Sequence, residues 1–249
     1  MNRDRIKEIL DGVRDTLDEI GWVDEGEKLY FDQQLGRYEH TLTYLNEHRM
    51  SRQTLLDVGS HLLHFSMAAS ALAYQVRGID IEFFVKHPLN KPRQERYGIS
   101  GLRICDLSKG AIPYDDQSFE VINFSETLEH LNFNPLPVIK EFHRVLKPGG
   151  MVLITTPNVL RLGNRLRLLM GHNILSELKD LCWQPPYSVH YREYSLSEVA
   201  QLLRWAGFSI AVQEVRYLYP EVGIRKILKT AISKVRPSLA GNVFVVGTK

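Results

Sequence analysis

The stretch TLLDVG, residues 54–59, decides the fold of this chain. A short apolar run that ends in Asp-Val-Gly predicts a buried strand and a tight turn, because glycine lets the backbone change direction there. The next residues, Leu62–Tyr74, are rich in Ala and Leu and predict a helix, and Val76–Ile81 predicts a second strand. This order predicts two parallel strands joined by a helical crossover.

The same alternation continues toward the C-terminus. Further strands are predicted at Leu102–Leu107, Phe119–Phe124, Met151–Thr155, Phe208–Tyr217 and Asn242–Gly247, and further helices at residues 135–146 and Ser195–Ala206. Strands that alternate with helices at this spacing predict a mostly parallel sheet with helices on both faces. Right-handed crossovers make such a sheet doubly wound. We therefore expect an α/β fold with a doubly wound, seven-stranded sheet.

Helical and irregular segments flank this core. Residues 4–20 and 27–48 carry apolar residues at helical spacing and predict two amphipathic helices. We expect residues 1–50 to form an N-terminal helical cap and residues 51–249 the main domain. Residues 158–194 are basic, aromatic and loop-rich, which predicts a helical insertion over the ligand crevice on the acceptor side.

Two shorter predictions concern surface segments. Residues 86–98 contain Pro88, Pro92 and Gly98 and therefore predict a loop. Ile224–Val235 has the pattern of a basic amphipathic helix.

The composition excludes several classes of protein. The chain has 249 residues, of which 44% are hydrophobic, and its net charge of +2 is too small to indicate nucleic-acid binding. Cys105 and Cys182 lack the spacing of a disulfide framework or a zinc site, so we expect no metal. The charged N-terminus and the lack of a run near ~20 apolar residues predict a cytoplasmic protein that at most touches a membrane surface.

Acidic and polar residues follow the ends of the predicted strands. They are Asp57, Asp80, Asp106 and Ser125, each at a strand C-terminus. Ligands of doubly wound sheets bind at this edge. Asp80 follows Asp57 at close to the ~20-residue separation at which an acid reaches ribose hydroxyls in dinucleotide folds. A helix N-cap is the alternative role for Asp80.

The order of these motifs resembles class I S-adenosylmethionine-dependent methyltransferases over roughly residues 50–249. The motifs are LLDVGS (55–60), VRGIDI (76–81), CDL (105–107), FEVINFSETLEHL (119–131), EFHRVLKPGGMVLITTPN (141–158) and HYREYSLSEVAQLLRWAGF (190–208). The resemblance implies the Rossmann-like methyltransferase fold, S-adenosylmethionine as cofactor and S-adenosylhomocysteine as product. The last two motifs are most similar to a bacterial and archaeal branch that acts on sugars, lipids and other small acceptors.

The resemblance also implies which residues contact the cofactor. They are Asp57, Gly59, Ser60, His61, Asp80, Ile81, Asp106, Leu107, Ser125 and Arg37. The loop after the first strand is expected to hold the amino-acid end of the cofactor, and Asp80 its ribose. Asp106 is expected at the adenine, Ser125 at the methionine and Arg37 at the carboxylate. For Asp106, stabilisation of a turn is an equal alternative.

One departure from the family pattern concerns the glycine loop. The family reads Gly-x-Gly-x-Gly, whereas this chain has Gly59, His61 and Leu63. If either bulky position needs a positive φ, strain of ~1–3 kcal/mol follows, enough to weaken cofactor binding roughly ten- to hundredfold. Alternatively the loop is rebuilt and His61 contacts the cofactor. A nicotinamide fingerprint would need three glycines, of which only Gly59 is present.

Two histidines are candidates for catalysis. A hydroxyl acceptor must lose a proton, and His is the usual base near neutral pH. His190 is the first candidate because it opens the segment expected over the crevice, and His130 is the second. A loop histidine that anchors a helix cap is an equal alternative for His190, and a solvated side chain is the alternative for His130.

The acceptor and the partners are predicted only by class. Two basic stretches fit a phosphate-bearing acceptor or an anionic membrane surface, although solvated helix faces explain them too. They comprise Arg161, Arg165 and Arg167, and Lys226, Lys229, Lys234 and Arg236. Neither has the interleaved aromatic residues of a nucleic-acid track. We expect methylation, mainly on oxygen, of a small, saccharide or lipid-linked acceptor. The alternative is a non-catalytic binding or scaffold protein, and the sequence predicts no oligomeric state.

Overall fold

A computed structural model of the chain describes residues 2–48, 53–219 and 236–249. The strands in this part of the chain are β1 (Thr54–Val58), β2 (Gln75–Asp80), β3 (Arg103–Ile104), β4 (Phe119–Ser125), β5 (Leu146–Pro157), β6 (Ser209–Arg216) and β7 (Asn242–Thr248). They form one sheet in the order β3-β2-β1-β4-β5-β7-β6. β1 and β3 both pair with β2 in parallel, and β7 runs antiparallel to β5 and β6. The predicted doubly wound, mostly parallel sheet is confirmed.

The helices of the described residues follow the predicted alternation. They are α1 (Asn2–Ile20), α2 (Glu25–Glu47), α3 (His64–Ala71), α4 (Glu82–Val85), α5 (Asn90–Tyr97), α6 (Leu136–Val145), α7 (Leu162–Leu169), α8 (Leu178–Trp183) and α9 (Leu196–Trp205). None of them combines the length and the apolar composition that a membrane span requires.

The chain divides into two compact units. The first contains Met1–Asn123, Val145–Lys147 and Leu218–Pro220. In it, α1 and α2 pack against each other and bury their apolar faces. α2 begins where the Asp24 carboxylate accepts a hydrogen bond from the Glu27 backbone N–H at 2.8 Å. The N-terminal helices therefore lie in the same unit as the first strands, and a domain boundary near residue 50 stays a prediction.

The second unit contains Phe124–Arg144, Pro148–Tyr217 and Glu221–Lys249. Its best-defined helix start is that of α9, where the Ser195 side chain accepts from the Glu198 backbone and the Glu198 side chain accepts from the Ser195 backbone. This reciprocal pair satisfies two backbone donors that a helix N-terminus leaves open. Of the two serines that could cap this helix, Ser195 and Ser197, the N-cap is Ser195.

One predicted loop is wrong. Residues 86–98 contain the helix α5. Pro92 is compatible with this helix because it is the third residue, and backbone N–H groups of the first turn have no partner within the helix. Gly98 ends the helix with φ 61°, the left-handed conformation that favours glycine at a helix C-terminus. The basic helix predicted at Ile224–Val235, with Lys226, Lys229 and Lys234, lies outside the described residues.

Two strand lengths also differ from the prediction. β3 covers only Arg103–Ile104, because Asp106 caps a 3₁₀ turn that starts at Leu107. β5 starts earlier than Met151, since the backbones of Gly149 and Gly150 pair with that of Lys249. The first difference results from a local cap and the second from pairing with a residue that is distant in sequence. The C-terminal ends of β1 and β2, where the site is predicted, are not affected.

Candidate functional site

The loop after β1 keeps the backbone that glycine would adopt. Gly59, His61 and Leu63 have φ of 74°, 49° and 66°, all in the left-handed region that favours glycine. Both bulky positions therefore meet the condition for strain that the sequence raised. Non-glycine residues in this conformation cost on the order of 1–3 kcal/mol each. All three positions of the loop are left-handed although only one of them is glycine.

Hydrogen bonds fasten this loop to the end of β2. The backbone N–H groups of Gly59 and Ser60 donate to the Ile79 carbonyl at 3.0 and 3.3 Å. The His61 N–H donates to Asp80 Oδ2 at 2.6 Å, and the Ile81 N–H donates to Asp80 Oδ1 at 2.7 Å. Asp80 therefore faces the loop.

The surroundings of Asp80 decide between its two predicted roles. Burial raises the pKa of its carboxyl to about 6, although the two backbone hydrogen bonds oppose the rise. The N-cap residue of α4 is Ile81, so the N-cap interpretation of Asp80 is wrong. Asp80 is a partly buried carboxylate that backbone N–H groups hold at the end of a strand. Such a carboxylate can accept hydrogen bonds from the hydroxyl groups of a ligand.

Asp57 has a structural environment. Its carboxylate is buried and accepts hydrogen bonds from Ser66 Oγ at 2.6 Å and Asn123 Nδ2 at 2.7 Å. Burial raises the pKa of Asp57 even though both bonds lower it. These bonds join β1 to α3 and β4, so Asp57 stabilises the strand that leads into the loop.

The bulky side chains of the loop pack against helices of the first unit. The His61 ring lies 4.3 Å from the Phe84 ring and 5.5 Å from the Tyr30 ring, centroid to centroid, and Leu63 is fully buried. Burial lowers the pKa of His61 to about 3, so its imidazole is neutral. Within the described residues, Ser60 Oγ and His61 Nδ1 are buried without a hydrogen-bond partner. The loop therefore contains two buried polar atoms that are free to bond a ligand.

A buried ionic cluster supports the loop from α2 and α5. Glu27 Oε1 lies 2.7 Å from both His64 Nε2 and Arg93 Nη1, and Arg93 also donates to the carbonyls of Leu62 (3.0 Å) and Gly21 (2.9 Å). Burial opposes ionisation of Glu27, but hydrogen bonds from His64, Arg93 and the Val23 backbone hold its pKa at about 2. The sequence analysis missed this cluster, since nothing local relates positions 27, 64 and 93.

The remaining predicted cofactor residues of the first unit differ in exposure. Arg37 is buried, donates to Gln34 Oε1 at 2.8 Å and stacks its guanidinium over the Tyr38 ring at 4.7 Å. Asp106 accepts from the Ser108 backbone N–H at 3.0 Å and pairs with Lys109, which lowers its pKa. Asp106 thus performs the turn-stabilising role in this structure, and its contact with adenine stays a prediction, as does that of Leu107 beside it.

The second unit contains the remaining site residues. Ser125 ends β4 and is buried. Glu126 follows with φ 50° and accepts from Thr155 Oγ1 at 3.0 Å. Glu129 is also buried, and its Oε2 accepts from Thr156 Oγ1 at 2.9 Å. Two carboxylates after β4 are therefore fixed by two threonines at the end of β5.

The two candidate catalytic histidines lie together. The rings of His130 and His190 are 4.8 Å apart, edge to face. His130 Nδ1 is 3.0 Å from the Val189 carbonyl. Burial, together with the neighbouring His190, lowers the pKa of His130 to about 4. The structure therefore brings the two histidines into contact, and their catalytic role stays a prediction.

A carboxylate that the sequence analysis did not single out stands behind His190. Glu193 Oε1 is 3.8 Å from His190 Nδ1, and Glu193 Oε2 accepts from Arg161 and, at 3.1 Å, from Asn164 Nδ2. Burial opposes ionisation, but the nearby His190 ring and the hydrogen bonds from Arg161 and Asn164 hold the pKa of Glu193 at about 2. Arg161 is thus engaged in an ion pair within its own unit.

Large apolar side chains are exposed along the predicted insertion. They are Leu166, Leu168, Leu169, Met170, Leu175, Leu178, Leu181 and Trp183. Leu169 and Trp183 are the most open, at 83% and 85% exposure. Many large apolar side chains exposed within one short segment are typical of a binding face. We call residues 166–183 the apolar face.

Comparison with known proteins identifies the family. The family described as "Methyltransferase domain" matches residues 30–213. A probable S-adenosylmethionine-dependent methyltransferase of Mycolicibacterium smegmatis is 27% identical over 66% of this chain and 54% of its own length. A demethylmenaquinone methyltransferase of Chlorobaculum tepidum is 32% identical over 40% of this chain and 44% of its own length. The chain spans about half the length of these curated relatives.

A solved structure shows the same fold. The crystal structure of an S-adenosylmethionine-dependent methyltransferase from Aquifex aeolicus is 19% identical and matches with a TM-score of 0.56 over 91% of this chain and 99% of the other. The family match covers most of the chain, and the loop after β1 with Asp80 occupies the sheet edge where the motifs predicted the cofactor site. This chain therefore belongs to the methyltransferase-domain family, within the class I, Rossmann-like group that depends on S-adenosylmethionine.

Proposed function

We propose that the protein transfers a methyl group from S-adenosylmethionine to a small acceptor. The observation that carries this proposal is the hydrogen bond from the His61 N–H to Asp80, in a loop that keeps left-handed turns at Gly59, His61 and Leu63. This geometry supports a cofactor loop that still presents its backbone and the acid of β2 to an adenosyl group.

The proposed roles follow from the chemistry of the residues. When bound, S-adenosylmethionine supplies an activated methyl group on a sulfonium. Asp80 accepts hydrogen bonds from ribose hydroxyls, and Ser60 offers a buried hydroxyl close to it. Positioning donor and acceptor in line accounts for most of the rate gain in a transfer of this type. His190, with His130 beside it, contacts the acceptor, and one of their nitrogens takes the hydroxyl proton.

Calorimetric titration tests cofactor binding. S-adenosylhomocysteine should bind the wild-type chain, and Asp80→Ala should weaken binding by about tenfold or more, because two charge-assisted hydrogen bonds are lost. Asp115→Ala removes an exposed aspartate of the same unit and is the matched control, with unchanged affinity. Equal affinities of wild type and Asp80→Ala would contradict the assigned site.

A non-catalytic binding or scaffold role is the second candidate. It is favoured by one observation, the two bulky residues at left-handed positions of the loop. If neither S-adenosylmethionine nor S-adenosylhomocysteine gives heat or a thermal shift at millimolar concentration, the scaffold role replaces the enzyme. A methylated product trapped from a metabolite extract would exclude it.

For the acceptor we propose a saccharide or lipid-linked molecule, methylated on oxygen. The apolar face supports this choice, since residues that large rarely stay exposed without a ligand or a surface to cover them. Arg167, exposed on the same helix as Leu168 and Leu169, suits an anionic headgroup. We further propose a cytoplasmic location with peripheral membrane contact.

A further inference from the structure

We propose that Glu129, His130 and His190 bind a divalent transition-metal ion. One ligand atom from each residue, a carboxylate oxygen and two imidazole nitrogens, lies within 4.8 Å of the other two. Two imidazoles with one carboxylate are a donor set that suits zinc, iron(II), cobalt(II) and nickel(II). The metal-binding proposal stands apart from the methyl-transfer proposal, because its evidence is confined to these three residues and their neighbours.

Backbone hydrogen bonds hold the three ligands together before any ion arrives. The N–H groups of Tyr191 and Arg192 donate to the Glu129 carbonyl at 2.8 and 3.3 Å. These bonds tie the segment of His190 to the turn that carries Glu129 and His130. Preorganisation of this kind lowers the entropy that ligands lose when they converge on an ion.

The hydrogen bond of His130 fixes the nitrogen that faces an ion. A carbonyl only accepts hydrogen bonds, so His130 Nδ1, at 3.0 Å from the Val189 carbonyl, carries the proton. The lone pair then resides on Nε2. Metal-binding histidines generally donate their other ring N–H to a backbone carbonyl or a carboxylate in this way.

The other two ligands have similar support. Glu193 places a carboxylate oxygen 3.8 Å from His190 Nδ1 and is itself held by Arg161 and Asn164. The Thr156 hydroxyl donates to Glu129 Oε2 at 2.9 Å and orients that carboxylate. Thr156 therefore orients Glu129 and the Val189 carbonyl orients His130, as outer groups do at metal sites, and Glu193 places a carboxylate near His190.

Three protein ligands leave coordination positions open, which is the pattern of catalytic rather than structural metal sites. If the proposed function holds, these positions take oxygen atoms of the acceptor. The acceptor hydroxyl then loses its proton to solvent, its oxygen bonds the methyl carbon, and the carbon–sulfur bond breaks to give neutral S-adenosylhomocysteine. In that case His130 and His190 act as ligands, and the ion replaces them in promoting loss of the proton.

Metal titration of the chelator-treated full chain tests the proposal. Calorimetry with zinc chloride and visible absorption with cobalt chloride should show one tight site per chain. His190→Ala, at a partly exposed position, and Glu129→Gln should each weaken binding by about tenfold or more. His172→Ala removes an exposed histidine of the same unit and should leave affinity unchanged.

Two outcomes would overturn the site. If millimolar cobalt gives no new absorption band with the wild-type protein, the proposed ion-binding site does not exist. An equal loss of affinity in His172→Ala would mean that the ion binds only adventitiously at the surface. Thermal unfolding of each variant verifies folding, and His190→Ala keeps the test valid if Glu129→Gln does not fold. S-adenosylhomocysteine binding measured on the same samples separates the two proposals, since metal binding without it would reject only the methyl-transfer function.

Discussion

At the scale of single residues, the loop after β1 combines strain with function. His61 and Leu63 hold left-handed backbone conformations, yet their side chains are used for packing, His61 against Phe84 and Leu63 in the core. A non-glycine residue at such a position destabilises the backbone conformation, and the packing contacts of its side chain offset this cost. We expect the balance between backbone strain and side-chain packing to differ between His61 and Leu63, and unfolding measurements can detect this difference.

Glycine substitutions separate the two terms. Leu63→Gly relieves strain of about 1–3 kcal/mol but removes a fully buried side chain, for which a loss of about 2–5 kcal/mol is typical. We expect a clear loss of stability. His61→Gly removes a less buried ring and should change the free energy of unfolding by less than Leu63→Gly does. Denaturant unfolding of both variants measures this, and a larger loss for His61→Gly would contradict the packing assigned here.

Asp80 should make cofactor binding depend on pH. Its pKa is raised to about 6 in the unliganded protein, and ribose hydroxyls form stronger hydrogen bonds with the ionised carboxylate than with the protonated acid. Binding therefore releases a proton at low pH, so affinity for S-adenosylhomocysteine should rise up to about pH 6 and level off above it. Calorimetry across this range checks the profile. Asp80→Asn should bind weakly with a flat profile, and a wild-type affinity that falls as pH rises to 6 would refute the assignment.

At the scale of secondary-structure elements, α2 and α5 are joined to the loop through Glu27 and Arg93. Arg93 is completely buried and Glu27 nearly so. Removal of one partner from a buried ion pair leaves an uncompensated charge, which costs about 3–5 kcal/mol. We expect Glu27→Gln to be destabilised by roughly this amount in thermal unfolding. Glu25→Gln, exposed in the first turn of the same helix, is the matched control and should unfold like wild type.

The pH dependence of stability gives a second measurement on the same cluster. The pKa of Glu27 is lowered to about 2 in the folded state from 4.5, so its contribution is present above pH 4.5 and disappears as pH falls toward 2. The difference in unfolding free energy between wild type and Glu27→Gln should shrink over this interval. A difference that stays constant down to about pH 2 would show that Glu27 is not ionised in the cluster.

The sequence predicts those features of the elements that are encoded locally. The ends of β1 and β2, and with them Gly59 and Asp80, follow from short apolar runs that stop at a turn. The Ser195 cap follows from a four-residue pattern. The Glu27–Arg93 pair joins residues far apart in sequence, and only the assembled fold brings them into contact. The helix at 90–97 was missed because proline indicates a helix start as well as a loop.

The candidate site also combines residues that local motifs indicate with contacts that only the folded chain forms. His130 and His190 were chosen from separate motifs, and their meeting at 4.8 Å depends on hydrogen bonds between the two segments. Glu193 was not singled out, although it lies only three residues from His190. The prediction that no metal binds relied on cysteine spacing, which carries no information about a ligand set drawn from positions 129, 130 and 190.

At the scale of the whole molecule, the apolar face predicts association with anionic membranes. Leu169→Glu and Trp183→Glu should each reduce co-sedimentation with vesicles of phosphatidylserine and phosphatidylcholine, because they place a negative charge on the contact surface. Trp205→Glu alters another exposed aromatic residue, 62% exposed on α9, and should have no effect. Equal reduction by all three substitutions, or no sedimentation of wild type, would reject the membrane contact.

The position of β7 in the sheet has a consequence for synthesis on the ribosome. β7 lies between β5 and β6, although it follows both in the chain. While the polypeptide is emerging, β6 has no strand to pair with until β7 leaves the exit tunnel. A nascent chain that is stalled before Asn242 emerges from the exit tunnel should therefore expose unpaired strand edges and recruit chaperones. Emergence of β7 should end that recruitment.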